Sequence, residues 1–585
     1  MIKRNGLYFL LGLILFPLSC EAKDPELSVG NFERKSAEPQ DGIRIAWDYS
    51  TLQRIAPRDG RESGWVGYPR VRRLSNGDVI AVYETGGSVE IKRSIDKGET
   101  WSDPSILFDK HYVTTGSGEV LVIKANGELL ELASGELVAA CNYRPAEDGF
   151  APFAIAVKRS VDKGKNWTDP EVIYEGGNTF HDGCWEPSFL QLLSGELQVY
   201  FANETPYTSS EEQEISMLRS FDNGKTWTED PATVCFRQGF RDGMPVPVLS
   251  GDQILLAIED NVDGQFKPWI VSSDASNPWE RPVSGNSSFR HPAHQDQLPE
   301  NVYAGAPYLL KLPDGPCLLS YQTTHGRGPN WELSTMEVAI GDENGRDFSM
   351  LSRPFNVPLD REAKWNSLSM WDENTVLAAS TTSFHNRNCE VWTILGHVIP
   401  ELAAKIGFVS VDGQANPGEW TGIFPLFIGH NGGVNMKADI MREEKAVCFA
   451  VKIEYSEVDV FSENQKDSGV RIFIDGGNYC LTDPDAGLFS LFLSTEGELK
   501  IQEGKDGEWI DADGEAGIET SVERSVSGCF MELKVPLSWI QHVDGSDIRV
   551  NMQLTYRDAT GKEIVENIAN AKQDASHTWC RVRFQ

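Results

Sequence analysis

The chain has 585 residues, too many for one ordinary hydrophobic core, so it divides into two or more domains. Its 53 glycines, 16 tryptophans and 10% aromatic content suit strands and turns better than helices. A formal net charge of −34 argues against DNA, RNA or anionic lipid headgroups as partners and fits a neutral or cationic ligand.

The chain opens with an export signal. Lys3 and Arg4 precede an apolar run from Tyr8 to Leu18 that is too short to cross a bilayer as a helix. The run ends in Ser19 and Cys20, which resembles a bacterial lipoprotein cleavage site with Cys20 as the lipidated first residue. Pro17 stands where such sites carry leucine, and an ordinary signal peptide cut near Ala22 is the alternative. Residues 1–20 are therefore expected to be a lipoprotein-type signal and 21–44 a linker. The protein is expected at the outer membrane or cell surface, otherwise periplasmic or secreted. It should meet a membrane only through its lipid anchor.

From residue 68 one hairpin recurs six times: YPRVRRLSNGDVIAVYE, LLELASGELVAACNY, EPSFLQLLSGELQVYFANE, MPVPVLSGDQILLAIED, APYLLKLPDGPCLLSYQ and WNSLSMWDENTVLAAS. The apolar residues before the turns are Leu74, Leu132, Leu192, Leu249, Leu312 and Met370, at intervals of 58, 60, 57, 63 and 58. Each unit leaves room for two more strands. The pattern predicts an all-β fold: a six-bladed β-propeller over 45–400, followed by a β-sandwich over 401–585.

Three of the units carry RSIDKGETWSD, RSVDKGKNWTD and RSFDNGKTWTE, and VSSDASNPW (271–279) is a worn fourth copy. In such an Asp box, serine and aspartate bond the turn backbone, glycine takes a positive φ and tryptophan packs beneath. Asp96, Asp162 and Asp222 are therefore structural. Boxes of this kind on a six-fold repeat resemble the sialidase superfamily of propellers, where they lie on the rim. The nine cysteines after Cys20 show no CxxC spacing and read as buried free thiols.

In a propeller the first strand of each blade lines the axis, and the second runs antiparallel beside it. The start of the first and the end of the second thus share one face. Blade by blade that geometry selects Tyr68, Arg70 and Glu84; Asn142, Tyr143 and Arg144; Trp185, Glu186, Asn203 and Glu204; Arg241, Asp242, Glu259 and Asp260; Tyr308, Tyr321 and Gln322; and Trp365, Asn366 and His385. Carboxylates with arginine and aromatics form a sugar site. Glycoside hydrolysis needs two carboxyl groups, and Glu186 in HDGCWEPSF and Glu259 at the end of ILLAIED are the catalytic candidates, with Glu204 and Glu84 in reserve.

WEPSFLQLLSGELQVYFANE, RDGMPVPVLSGDQILLAIED, APYLLKLPDGPCLLSYQTT and WNSLSMWDENTVLA resemble glycoside hydrolase family 93 over about residues 45 to 400. The resemblance implies release of arabinobiose from the ends of α-1,5-arabinan with retention, Glu186 as nucleophile and Glu259 as acid/base. Tyr68, Arg70, Trp185, Tyr308 and Gln322 would bind substrate. The runner-up is a sialidase, with a tyrosine nucleophile and three arginines on the sialate carboxylate. Arg70 could supply the first of these, with Arg144, Arg241 and Arg387 spare. A non-catalytic glycan-binding propeller is the third reading. The partner is an oligo- or polysaccharide, with no organic cofactor and no catalytic metal.

The tail alternates through VNMKADIMREEKAVCFAVKIEY, DSGVRIFIDGGNY and CFMELKVPLSWI, a sandwich rhythm similar to family 9 carbohydrate-binding modules. Trp509, Trp539 and Trp579 are candidate sugar platforms. The acidic 482–485 turn could hold Ca²⁺.

Overall fold

A computed structural model describes residues 33–57, 65–116, 118–416, 418–429, 433–455, 467–512, 517–543, 545–558 and 560–584. The export signal and Cys20 lie outside the described residues.

Six antiparallel sheets form the blades of a propeller. Their inner strands are Val66–Arg73, Gly118–Glu131, Cys184–Gln191, Asp242–Ser250, Ala304–Lys311 and Ala363–Asp372, in blades 1 to 6. Each is followed by a second strand: Val79–Thr85, Leu137–Pro145, Leu197–Asn203, Gln253–Asp260, Cys317–Thr323 and Thr375–Thr382. Alternating apolar residues bury against the neighbouring blade. One cluster joins Leu74, Ile80 and Val82 of blade 1 to Leu129, Leu137 and Ala139 of blade 2, and another joins blade 2 to blade 3.

The ring closes differently from the sequence reading. EVWTILGHVIPE was expected to close the last blade, but Glu390–Ile399 is only its third strand. The fourth is Arg44–Ala56 from the start of the propeller, paired antiparallel with it. Joining first and last strands in one sheet removes the open edge that a linear array would leave. Just before that strand, Asp41 pairs with the buried Arg549 at 2.7 Å, and Ala37 donates its N–H to the Cys480 carbonyl at 2.9 Å. The same stretch therefore docks on the C-terminal domain and then locks the propeller.

The Asp boxes sit between third and fourth strands, as their chemistry requires. In blade 3 the Ser220 hydroxyl bonds Asp222 at 2.9 Å and accepts the Gly224 N–H at 2.8 Å, while Asp222 accepts the Thr226 N–H at 2.8 Å. Asn223 and Gly224 both have positive φ, which glycine tolerates at no steric cost. Trp227 lies under the turn against the core shared by blades 2 and 3. These hydrogen bonds hold Asp96, Asp162 and Asp222 at about 2, well below the usual carboxylate range. A depressed folded pKa stabilises the fold above the unfolded value, and this contribution is lost as pH falls from about 4 toward about 2. Asp222→Ala should therefore lower the thermal midpoint at neutral pH by a few degrees, and by less near pH 2. Catalytic constants should stay unchanged. The worn fourth box lacks the glycine, yet Trp279 still reaches blade 3, donating its ring N–H to the Tyr200 hydroxyl at 2.8 Å.

Each inner strand carries a bulge at the same point of the repeat, blade 6 having a second irregularity near Met370, and a non-glycine residue with positive φ sits at the shared bulge: Tyr68, Asn126, Glu186, Met244, Ala306 and Trp365. In four of the six, proline follows: Pro69, Pro187, Pro245 and Pro307. The extra residue breaks the two-residue alternation, so side chains before and after the bulge face different surroundings.

The C-terminal region is a two-layer β-structure. Leu402–Ile406 pairs in parallel with both Cys580–Phe584 and Val434–Arg442, linking the layers at one edge. Val470, Leu491 and Met552 of one layer face Met436, Phe449 and Leu533 of the other in a single core. Trp579 is fully buried against Phe473, so of the three candidate platforms it is a core tryptophan and offers no face to a sugar. Trp539 leans on Phe489, and Trp509 donates to Asp574 at 2.7 Å. Of the nine cysteines among the described residues, seven are buried.

Candidate active site

The bulges set up the site. At four of the six blade junctions, a side chain near the end of one blade's second strand accepts the bulge N–H of the next blade. Thr381 takes that of Tyr68 at 2.8 Å, Gln322 that of Trp365 at 2.8 Å, Glu259 that of Ala306 at 2.7 Å, and Glu84 that of Asn126. Blade 3 has the apolar Ala202 at this position, opposite Trp185. There the carboxyl of Glu186, the bulge residue itself, lies close enough to the Met244 N–H for that donor to favour its charged form. The pattern brings Glu186 of blade 3 and Glu259 of blade 4 to the same face on adjacent blades.

Both carboxyls are raised. Burial, then Glu259 and Glu204 nearby, push Glu186 up to about 8 against the opposing Met244 N–H and Arg241. Burial pushes Glu259 up to about 7, opposed by the Ala306 N–H and Arg241. Two glycines leave room for the Glu259 carboxyl. A Cβ on Gly243 would lie 3.2 Å from its Oε1, and one on Gly305 would lie 2.7 Å from its Oε2. Glu84, the equivalent of Glu259 three blades away, is raised by burial to about 7 but faces Arg144 and Arg70 instead of a second acid.

Glu204 is held by Arg241 and by the Trp185 ring N–H at 3.1 Å. Tyr303, which the sequence reading missed, is close to both acids. Their charges and burial raise its phenol, and Gln322 donates to its hydroxyl at 2.8 Å. Tyr303 precedes its inner strand in an irregular segment, and only the V-Y-A-G-A-P context pointed to it. Tyr68, Met244 and Ala306 pack together with Trp65 and Trp365 as an apolar group at the bulges.

Two expected mouth residues lie elsewhere. Arg70 and Tyr308 follow their bulges by two residues and turn into the axial channel, where they are 3% and 6% exposed. Arg70 donates to Glu128 at 2.8 Å, and Glu128 also takes Arg72 at 2.9 Å, which in turn bonds the Tyr308 hydroxyl. Gln322 is buried too and positions Tyr303 and Trp365. Asp242 and Asp260, neighbours of Arg241 and Glu259, point the other way. They share the buried Arg290, and Arg237 joins Asp260 at 2.7 Å. That cluster fixes the strand ends carrying Arg241 and Glu259, because removing one member would leave an unpaired buried charge. Beyond the Arg70 plug, the far end of the channel opens into a cavity of about 520 Å³ lined largely by leucines and valines.

Among the described residues no group of three or more histidine, cysteine, aspartate or glutamate side chains converges as a metal set. In the 482–485 turn Asp483 bonds Thr482 and Asp485 bonds the Ala486 N–H, each satisfied locally.

The fold is a six-bladed β-propeller with a β-rich C-terminal region. No protein-family profile and no curated protein matches the sequence. Among solved structures, the chain is similar to the GH93 α-L-arabinofuranosidase of Fusarium graminearum in complex with arabinobiose. Identity is 17%, over 59% of this chain and 97% of that one, with a TM-score of 0.44. It is also similar to the NanB sialidase from Streptococcus pneumoniae, at 12% identity over 59% and 70% of the chains, with a TM-score of 0.41. A family 9 carbohydrate-binding module from Caldicellulosiruptor kristjanssonii, in complex with cellotriose, covers 32% of this chain and 93% of its own at 13% identity and a TM-score of 0.26. The propeller neighbours include glycoside hydrolases and also a protein of unknown function from Dyadobacter fermentans DSM 18053, at 16% identity over 61% of this chain and 99% of that one, with a TM-score of 0.44.

Proposed function

We propose that the protein is an exported glycoside hydrolase. Its propeller mouth would cleave neutral plant-type glycans, α-1,5-arabinan first, through Glu186 and Glu259 by a retaining double displacement. The observation that carries this reading is the pair itself: two half-buried carboxyls on adjacent blades, both raised by desolvation, with Glu259 anchored by the Ala306 N–H at 2.7 Å. A retaining glycosidase needs one carboxyl protonated and one ionised. Burial and mutual repulsion let the pair share one proton, and the family resemblance gives Glu186 as nucleophile and Glu259, whose carboxyl is fixed by the Ala306 N–H at 2.7 Å, as acid/base.

The sialidase reading needs three arginines on one carboxylate, but Arg70 is bound to Glu128, Arg241 to Glu204 and Arg387 to Asp360, which leaves Arg144 alone of the four. Burial also raises the Tyr68 phenol, the wrong direction for a nucleophile.

With the Glu186–Glu259 pair titrating in two steps near about 7 and about 8, kcat/KM should rise through the first value and fall above the second. The expected profile is a bell centred at neutral to mildly alkaline pH. The test is release of arabinobiose from linear α-1,5-arabinan across pH 4 to 10. An optimum near pH 4 would mean that neither carboxyl titrates as assigned. Binding to arabinan without release would favour the glycan-binding reading.

A further inference from the structure

On the blade 2–3 side of the mouth, a ledge stands beside the acids. The rings of Phe180 and Trp185 stack with centroids 5.8 Å apart and planes at 27°. Both are backed by Phe153, at 5.2 and 4.8 Å. Phe180 remains 38% exposed. The Arg144 guanidinium lies 5.0 Å from the Phe180 centroid and 5.4 Å from that of Trp185. It is half-buried and forms no salt bridge among the described residues. The corresponding arrangement across the mouth is complete in itself: Lys364 lies over the exposed Trp331 but is paired with Glu362 at 2.6 Å.

The ledge has a partly exposed aromatic ring and a fork of N–H donors that forms no salt bridge among the described residues, with Glu84 near enough to feel its charge. A sugar ring supplies both missing halves, a C–H face for the aromatic and hydroxyl oxygens for the donors. An anionic group would also pair with arginine, but Glu84, Glu186 and Glu204 surround the approach and the chain carries −34 overall. Charge therefore favours a neutral ring.

We propose that Phe180 and Arg144 form a subsite for a neutral sugar ring beyond the one held at the acids. The ring's C–H face would rest on Phe180, and its hydroxyls would accept from Arg144. This deepens the glycosidase reading of the same mouth and rests on it.

Calorimetric titration of the full chain carrying Glu259→Gln separates the two. The probes are linear α-1,5-arabino-oligosaccharides of two to five rings, with cello-, xylo- and mannotetraose alongside. Adding Phe180→Ala or Arg144→Gln should weaken binding of the longest bound chains roughly tenfold, the worth of one or two hydrogen bonds and a stacking contact. Binding of the shortest chain should hardly change, and Phe180→Tyr should restore affinity. In the active protein the same substitutions should raise KM on long chains and leave kcat unchanged. Losses independent of chain length, or no binding of any probe, would overturn the subsite. Length-dependent losses on a sugar that the active protein fails to cleave would uphold the subsite and overturn the glycosidase reading.

Discussion

Glu186→Gln and Glu259→Gln should each lower arabinan hydrolysis by about 10³-fold or more, since each removes half of an acid/base and nucleophile pair. Both variants should fold. Glutamine keeps an oxygen for the Ala306 N–H at position 259 and for the Met244 N–H at position 186. Stability should move in the opposite direction to activity. The folded pKa of Glu186, about 8, lies above its ordinary value of 4.5, so folding favours the protonated carboxyl. The fold is therefore penalised as pH rises from about 4.5 through about 8. A neutral glutamine escapes that penalty. Glu186→Gln should thus melt above the parent protein at pH 8 and match it at pH 4. A variant with full activity would remove that glutamate from the mechanism. One that is inactive and melts lower at pH 8 would make it a structural residue.

The second large effect is expected at a residue with no side chain. Gly305 sits directly before the blade 5 bulge, and a Cβ there would stand 2.7 Å from Glu259 Oε2 and also strike the Tyr303 hydroxyl. The backbone cannot yield, because the same bulge donates the Ala306 N–H to Glu259. Gly305→Ala should therefore displace the carboxyl, and displacement of a reacting group by about 1 Å costs about 10²-fold in rate. The loss should fall on kcat rather than KM, with a melting midpoint near that of the parent. Steady-state kinetics on arabino-oligosaccharides reads this directly. A change confined to KM would place Glu259 in substrate binding and not in the chemistry.

Some of this was legible from residues alone. The six hairpins announced themselves through turn pairs such as Asn76–Gly77 and Ser134–Gly135, because a tight turn demands particular residues and the repeat multiplies the signal. The closing strand Arg44–Ala56 was not legible: its partner lies more than three hundred residues away, and no local turn marks the pairing. At the mouth, residues before or at each bulge were placed correctly by strand geometry, as with Trp185, Glu186 and Trp365. Arg70 and Tyr308 were misplaced because alternation was carried through the bulge, where one extra residue resets which way side chains point. The dipeptides Tyr68–Pro69, Glu186–Pro187, Met244–Pro245 and Ala306–Pro307 were visible, and their recurrence at one point of the repeat was the available clue. Tyr303, Phe180 and Trp331 lie in irregular segments, where no periodicity selects them.

The central claim is that Glu186 attacks the sugar and Glu259 delivers the proton. The most direct measurement is to incubate the protein with an activated 2-deoxy-2-fluoro arabinoside, which slows breakdown of a glycosyl-enzyme, and to map the labelled peptide by mass spectrometry. The account predicts a single covalent adduct on Glu186 in the parent protein and none in Glu186→Gln. An adduct on Glu259 would reverse the two roles. An adduct on Tyr68 would contradict the two-glutamate mechanism itself.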